Sequence, residues 1–549
     1  MGSANSSRGT WRSAVFRTVY RLWPPSLLIT LTVALYGPSV GFSFLLDDSY
    51  DLTAARRTSY RELLVEPLPG FSYYRPLTFV LYKIVHDLWG GTEPRHYHAL
   101  SIALHALNTL LLAWLIQRVT GRAVALTAGV LFATFPFAYQ AVQIVCSLPH
   151  LLVTSAVLGA LVLWDLAPQR GWVARRLSRS AAVILALVAP GFHETGTLSG
   201  LLLLVFARSR PGVDGWLATR VQRAAIGAVL LGNAAYLAAW FWGFEKPGMR
   251  AVTLFDRQQN LAFWVQALAY PVTRSLVLFF APDWLTQHAR STVLLTGATT
   301  VALALTVHAL GRQQRLALAA CGFALLAFLP ALLFLPFRGY VEDGPRLLYP
   351  AAPAIATFWG LLPRAGWRWR RGRWGGVTLG TLVVATTLVH SIGFVERRTE
   401  LARLASRAQE QVVEAARSNP GWPLVVVDAP AWLALHRYEY PLGHFGMNAQ
   451  PEYLGFDALL EARLGWRQPV ESLAVTRSFD YGRYTVGPHG HPSTQASLAS
   501  YRLSGWVLVP VDLARATAGG TDRVPGMPHG RRSVIGSMGE NRSRTGPNT

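Results

Sequence analysis

The feature that most constrains this chain is a series of apolar stretches, each close to bilayer length, separated by short loops crowded with arginine. A spanning helix needs about 20 apolar residues, fewer where neighbours shield it or the bilayer thins. Such a series reads as a polytopic helical membrane protein. Composition agrees, since 51% of the 549 residues are hydrophobic and only 15% are charged. A soluble globular chain carries about 25% charged residues. A single large soluble enzyme is thereby excluded, as are coiled-coil, collagen-like and disordered classes. Cys146 and Cys321 both lie in apolar runs, which excludes a disulfide framework and a cysteine-based metal cluster. The formal charge of +22 would suggest a nucleic-acid partner in a soluble protein. Here the basic residues sit between apolar segments, as the positive-inside rule expects of cytoplasmic loops, and no nucleic acid is expected. Lysine occurs only at Lys83 and Lys246, which fits an arginine-rich, GC-rich bacterial origin and hence the bacterial plasma membrane.

Arginine counts orient the segments. Arg8, Arg12, Arg17 and Arg21 precede the first span, Ser26–Phe44, so residues 1–25 are expected in the cytoplasm. A polar first outer loop covers 45–97. Spans at His98–Gln117 and Ala123–Phe135 follow, then a short turn at Pro136–Gln140 and a span ending near Trp164. Residues Ser180 to Phe206 read as a hairpin broken at Pro190-Gly191 with His193-Glu194 at its outer tip. Only two short helices leave Arg208, Arg210, Arg220 and Arg223 inside. Ala224–Gly243 crosses again, Asn260–Phe280 is read as re-entrant, and spans follow at Thr292–Leu310, Leu316–Leu335, Leu347–Leu362 and Val377–Val395. The expectation is about eleven helices over residues 26–395, with the N-terminus inside. Glu396–Ser418 reads as an amphipathic helix, and Trp422–Asp428 and Gly505–Asp512 as buried strands. They predict a small extracytoplasmic α/β domain over 396–516, followed by a disordered tail, 517–549, rich in Gly, Pro, Ser and Arg.

Polar residues gather on one side of this arrangement. The first outer loop opens with Asp47-Asp48-Ser49-Tyr50-Asp51, and carboxylates at a membrane boundary are costly and tend to be functional. The loop continues with Tyr73-Tyr74-Arg75-Pro76-Leu77 and Tyr97-His98, and His105 and Asn108 follow at helical spacing. His98 and His105 share a helix face, but no third ligand has suitable spacing for a metal. A polar stripe packed against neighbouring helices is the simpler reading. Neither a cofactor nor a metal is assigned, although a carboxylate-rich loop could bind a divalent ion.

Taken in order, several segments resemble one family. They are the acidic pair, the Tyr-Arg-Pro-Leu run, the His98/His105/Asn108 stripe, Leu131–Pro136, Gln140-Ala141-Val142, His193-Glu194-Thr195-Gly196 and Pro345-Arg346-Leu347-Leu348-Tyr349-Pro350. Together, over about residues 26–395, they resemble the multispan GT-C glycosyltransferases, especially bacterial relatives of protein O-mannosyltransferases. Two positions depart from that pattern, with His193 in place of the usual Lys and Gln140 in place of the usual Glu. The resemblance implies an inverting glycosyltransferase with a polyprenyl-phosphate sugar donor and an extracytoplasmic acceptor in a setting of membrane lipids. It also implies a catalytic acid from the first loop, Asp48 or Asp47, with Asp48 expected to project further into the loop. Arg75, Arg338 and Arg346 are candidates for the donor phosphate, because arginine matches phosphate bidentately. Tyr74, His98, His193, Glu194 and Tyr349 complete the expected substrate site. The competing readings are a lipid-linked glycan transporter, which has no need of the acidic pair, and a glycan polymerase or ligase, which calls for a large late outer loop.

Overall fold

The computed structural model describes residues 24–68, 71, 73–167, 171–209, 220–242, 307–308, 310, 313–333, 345–365, 373–435, 447–450, 454–476, 479–481 and 484–513. A first helix, α1, covers 24–36 and gives way to a 3-10 turn at Gly37–Gly41, because Pro38 lacks the N–H that would continue the α-helix. Next come α2 (Asp48–Arg57), α3 (Tyr60–Val65), α4 (Pro76–Trp89), α5 (Pro94–Thr120), α6 (Arg122–Ala133), α7 (Ala138–Gln143), α8 (Leu148–Leu166), α9 (Trp172–Phe192), α10 (Ser199–Ser209) and α11 (Arg220–Trp242). After the segment outside the description come α12 (Gln314–Leu333), a 3-10 stretch at Pro345–Ala351, α13 (Ala352–Gly360), α14 (Leu362–Ala365) and α15 (Arg373–Ser418).

Among the described residues, four helices are long and apolar enough to cross a membrane: Pro94–Thr120, Val145–Leu166, Arg220–Trp240 and Gly375–Ser418. Shorter apolar helices lie at Arg122–Ala133 and Gln314–Leu329. The expected hairpin is present as α9 and α10, but its break falls at His193 rather than at Pro190-Gly191. Pro190 sits inside α9, and the Ala186 carbonyl that its missing N–H leaves free accepts from Ser199 Oγ at 2.7 Å. The expected turn at Pro136–Gln140 holds the start of helix α7, and the first five residues of the Leu347–Leu362 segment are 3-10 helix rather than α-helix. The Asn260–Phe280 segment, most of Thr292–Leu310 and the 517–549 tail lie outside the described residues.

Helix α15 is continuous across position 396, so the last apolar segment and the amphipathic segment are one element. Its second half carries an α/β unit with strands β1 (Leu424–Val427), β2 (Pro430–Leu435), β3 (Met447–Asn448), β4 (Val470–Ala474), β5 (Phe479–Tyr481), β6 (Tyr484–Pro488), β7 (His491–Pro492) and β8 (Val507–Pro510). Helix α16 (Phe456–Leu464) precedes β4, and α17 (Gln495–Leu503) precedes β8. One sheet has the order β7-β4-β1-β8 with parallel pairing, and the other, β3-β2-β6-β5, is antiparallel. Every residue of β1 is buried, as a central parallel strand covered on both faces requires. A second apolar core joins Leu401, Ala405 and Ala408 of α15 to Leu433, Met447 and Val486, and extends to Leu45, Leu46 and Ile144. The α/β unit therefore packs directly on the segment that leads into α2.

Candidate functional site

The approach to the acidic pair is held from the α/β unit. Ser43 N–H donates to Ser406 Oγ (2.6 Å), and Ser43 Oγ accepts from Arg463 Nη1 (2.8 Å). Leu46 lies in the left-handed region, φ 53°, and its N–H donates to the Ala449 carbonyl at 3.1 Å. A leucine there costs on the order of 1–3 kcal/mol and persists only where the surroundings impose it. On the far side of α2, Arg57 grips Glu461 of α16 with Nε and Nη2 at 2.7 and 2.5 Å.

The acidic pair divides into an inner and an outer member. Asp48 is fully buried, with Oδ2 accepting from Leu45 N–H (2.9 Å) and Oδ1 from Cys146 N–H (2.6 Å). Burial pushes its carboxyl up to about 7, against the pull of the Cys146, Leu45 and Val145 backbone N–H groups. Asp47 is half-buried at the start of α2, where its carbonyl accepts from Asp51 N–H (3.0 Å) and its side chain does not cap the helix. The orientation differs from the one expected, because the Leu46 turn swings Asp48 inward and leaves Asp47 at the rim. Asp51 is buried too and accepts from Tyr73 OH at 3.1 Å. Burial and then Asp47 raise its carboxyl well above the usual range, while Arg75 pulls the other way.

Arg75 ends the loop before α4, where Pro76 supplies the preset φ of a helix start. Its Nε lies 3.1 Å from both carboxylate oxygens of Glu194, its Nη2 lies 2.9 Å from Oε2, and the guanidinium covers the Tyr73 ring at 4.1 Å. Burial disfavours the Arg75 charge, but Glu194, Tyr73 and Asp51 outweigh it and hold its pKa above the usual value. Beside this pair, His193 Nδ1 accepts from Thr195 N–H at 3.1 Å. The Arg346 N–H donates to Gln140 Oε1 at 3.1 Å, which seats the Pro345–Ala351 stretch against α7. The Arg346 charge acts on Cys146, His150 and His193, and Cys146 in turn feels Asp47, Asp48 and Asp51. Carboxylates from α2 and cations from two distant segments thus share one electrostatic site.

Solved structures with a similar course of chain exist. The oligosaccharyltransferase of Archaeoglobus fulgidus, tethered to an acceptor peptide, is 13% identical with a TM-score of 0.45, over 83% of this chain and 64% of its own. The chain therefore spans just under two thirds of that protein. ArnT from Cupriavidus metallidurans bound to undecaprenyl phosphate is 15% identical, TM-score 0.43, over 83% of this chain and 86% of its own. The arabinofuranosyltransferase AftD from Mycobacteria is 14% identical, TM-score 0.41, over 79% of this chain and 32% of its own. No protein-family model matches the chain, and no curated protein matches it.

The remaining expected residues fall in different places. Tyr349 is fully buried, its hydroxyl 2.7 Å from His105 Nδ1 and accepting from Asn108 Nδ2 (3.3 Å). Asn108 also donates to the Leu151 carbonyl (3.0 Å) and accepts from Ser155 Oγ (2.7 Å). These bonds lock α5, α8 and the Pro345–Ala351 stretch together, as the packed polar stripe predicts. The structure gives Tyr349 this packing role. His98 lies under the segment before the acidic pair, with Nε2 3.4 Å from the Ser43 carbonyl and its ring edge-on to Phe42. Tyr74 bonds the Leu64 carbonyl and stacks on Tyr236, tying its loop to α3 and α11. Arg338 lies outside the described residues. Among the described residues no three or more His, Cys, Asp or Glu gather as metal ligands.

Sequence reasoning did not single out Tyr73, Cys146 and His150 for the site. A histidine inside an apolar run is the one signal that could have drawn attention to His150. Two small apolar cavities adjoin one another. A cavity lined by Thr195, Val153, Leu202 and Ala327 shares Leu158, Phe323 and Pro353 with a second, of about 50 Å³, that reaches Leu112 and Ser209.

Proposed function

We propose that the chain is an integral-membrane glycosyltransferase of the GT-C type, with its site on the extracytoplasmic face of the bacterial plasma membrane. The observation that carries this reading is that the acidic pair at the start of α2 and Arg346 act on the same buried group, Cys146, while Arg75, paired with Glu194, acts on Asp51. In this reading a polyprenyl-phosphate sugar binds with its phosphate toward Arg346. Asp47 takes the proton of the acceptor hydroxyl while that oxygen attacks the anomeric carbon with inversion. A base at this step contributes about 10²–10⁴-fold. Asp48, anchored by two backbone N–H groups, holds the start of α2 in place. Arg75 and Glu194 neutralise one another, so they act as a positioning pair, and Arg346 supplies positive charge toward the phosphate.

The test is transfer from a polyprenyl-phosphate sugar pool by purified protein, comparing Arg346→Ala with Arg364→Ala. Arg364 donates to the Thr120 carbonyl at the far end of α5, 2.7 Å away, and belongs to the basic cluster read as cytoplasmic. Arg346→Ala should cost about one to two decades in use of the donor, the worth of charge-assisted phosphate bonds of roughly 1.5–3 kcal/mol. Equal effects at equal protein levels would remove Arg346 from the site.

A further inference from the structure

At the site end of α8, three buried polar side chains lack hydrogen-bond partners among the described residues. They are Ser147 through Oγ, His150 through Nδ1 and His193 through Nε2, and their residues are 0%, 3% and 6% exposed. Ser147 and His150 are three apart at the start of a 19-residue helix, so they lie on one face. The His193 ring packs on His150 with centroids 4.3 Å apart. Thr195 N–H donates to His193 Nδ1, which places the proton of the neutral ring on Nε2 and makes that atom a donor. Glu194 Oε2 is 3.5 Å from it, but that carboxylate is already gripped by Arg75. Asp48, another carboxylate near this helix end, is likewise taken up by Leu45 and Cys146 N–H. What remains is a hydroxyl oxygen and two imidazole nitrogens without hydrogen-bond partners among the described residues, beside the Arg75 and Arg346 charges and the positive end of a long helix.

A buried cluster of polar groups unmet by the protein lowers stability unless water or a ligand completes it. We infer that Ser147, His150 and His193, together with Arg346, form a receptor for a phosphate anion, the leaving end of the lipid-linked donor. The inference rests on the transferase reading for the identity of that donor. In the transfer the bond from the anomeric carbon to the phosphate oxygen breaks and its electron pair stays on that oxygen. The acceptor oxygen bonds the same carbon, and its proton goes to Asp47. A phosphodiester monoanion thereby becomes a phosphate monoester dianion, and neutral donors at that oxygen bind more strongly as its charge grows.

The experiment uses the full chain in lipid nanodiscs, with undecaprenyl phosphate, undecaprenol and inorganic phosphate as probes, followed by binding and thermal melts. His150→Phe should weaken undecaprenyl phosphate about tenfold, and Ser147→Ala with His150→Phe about 100-fold, the loss of one and two hydrogen bonds to an anion. Undecaprenol affinity should stay within about twofold, because its chain contacts are untouched. Ligand-free thermal stability should hold or rise, because an unmet buried group has been removed, whereas a packing role predicts a fall. His150→Gln, which restores a donor, should recover much of the phosphate affinity. Unchanged undecaprenyl phosphate affinity in the folded variants overturns the inference. So does an equal loss of both lipids together with a lower melting temperature. Stabilisation by inorganic phosphate that undecaprenyl phosphate does not displace overturns the lipid assignment. Ser147→Ala alone decides the matter should His150→Phe not insert. Phosphate-dependent binding without sugar transfer would support the receptor while removing the transferase reading.

Discussion

Replacing Asp47 by Asn separates chemistry from folding. Asn and Asp serve equally as N-caps, and the Asp47 side chain does not cap α2, so the exchange removes no helix-start bond. Losing a negative charge at the first turn of α2 forfeits about 0.3–1 kcal/mol with the helix dipole. Relief of the repulsion that Asp47 exerts on buried Asp51 offsets part of this. Stability should therefore stay within about 0.5 kcal/mol of the parent. Transfer should fall about 10²–10⁴-fold, a barrier increase of roughly 2.7–5.5 kcal/mol. Asp48→Asn should behave differently. Both Asp48 oxygens accept backbone N–H groups, at 2.9 and 2.6 Å, and an amide turns one acceptor into an opposed donor. That loss of a charge-assisted bond should cost about 1.5–3 kcal/mol of stability as well as activity. The assay is sugar transfer from a polyprenyl-phosphate pool in nanodiscs, paired with thermal melts of each variant. If Asp47→Asn keeps transfer within threefold while Asp48→Asn loses it without losing stability, the roles are reversed. Near-parental transfer by the double variant would sink the base mechanism altogether.

Arg75→Met should destabilise the protein by about 3–5 kcal/mol, because it strands the buried Glu194 carboxylate. Adding Glu194→Gln should recover at least half of that in chemical denaturation, and simple additivity of the two changes would deny the coupling. Asp51 has its pKa raised by burial, so its contribution to stability is full below the unfolded carboxylate value near 4 and is lost as pH rises through its raised folded value. The melting temperature of Asp51→Asn relative to the parent should therefore climb between pH 5 and pH 8, and a flat difference would contradict the burial. Arg463 reaches Ser43 Oγ, the Thr92 carbonyl and Glu410 from the α/β unit, so Arg463→Met should loosen the approach to the acidic pair. Its kcat should fall about tenfold with the donor KM unchanged, the signature of a lost transition-state position rather than lost binding.

Much of the bundle is legible from local pattern. Helices α5, α6 and α11 lie within a few residues of their apolar runs, and the strands at Leu424–Val427 and Val507–Pro510 fall inside the segments read as buried strands. The hairpin of α9 and α10 follows from where the arginines fall. The site was legible only as residue types. Asp47, Asp48, Arg75, Glu194, His193 and Arg346 all stand out in sequence, yet their partners do not. His150 and Cys146 are hidden within apolar runs, where a single polar residue leaves the hydrophobic pattern intact.

The sequence by itself determined that this chain is a series of apolar helices closed by a small α/β unit, because helix length, apolar period and arginine punctuation act over one or two turns. Only the tertiary structure decided which polar residue each charge would meet. Arg75 binds a carboxylate 119 positions away, His105 a tyrosine 244 positions away, and Arg463 a serine 420 positions away. It also decided which of two adjacent aspartates faces inward. Leu46 is forced into a left-handed turn by a carbonyl of Ala449 and by a core shared with α15. No local propensity predicts a leucine there. The direction of Asp48 is a property of how the α/β unit packs on the bundle, and contacts of that range leave no periodic trace in a sequence.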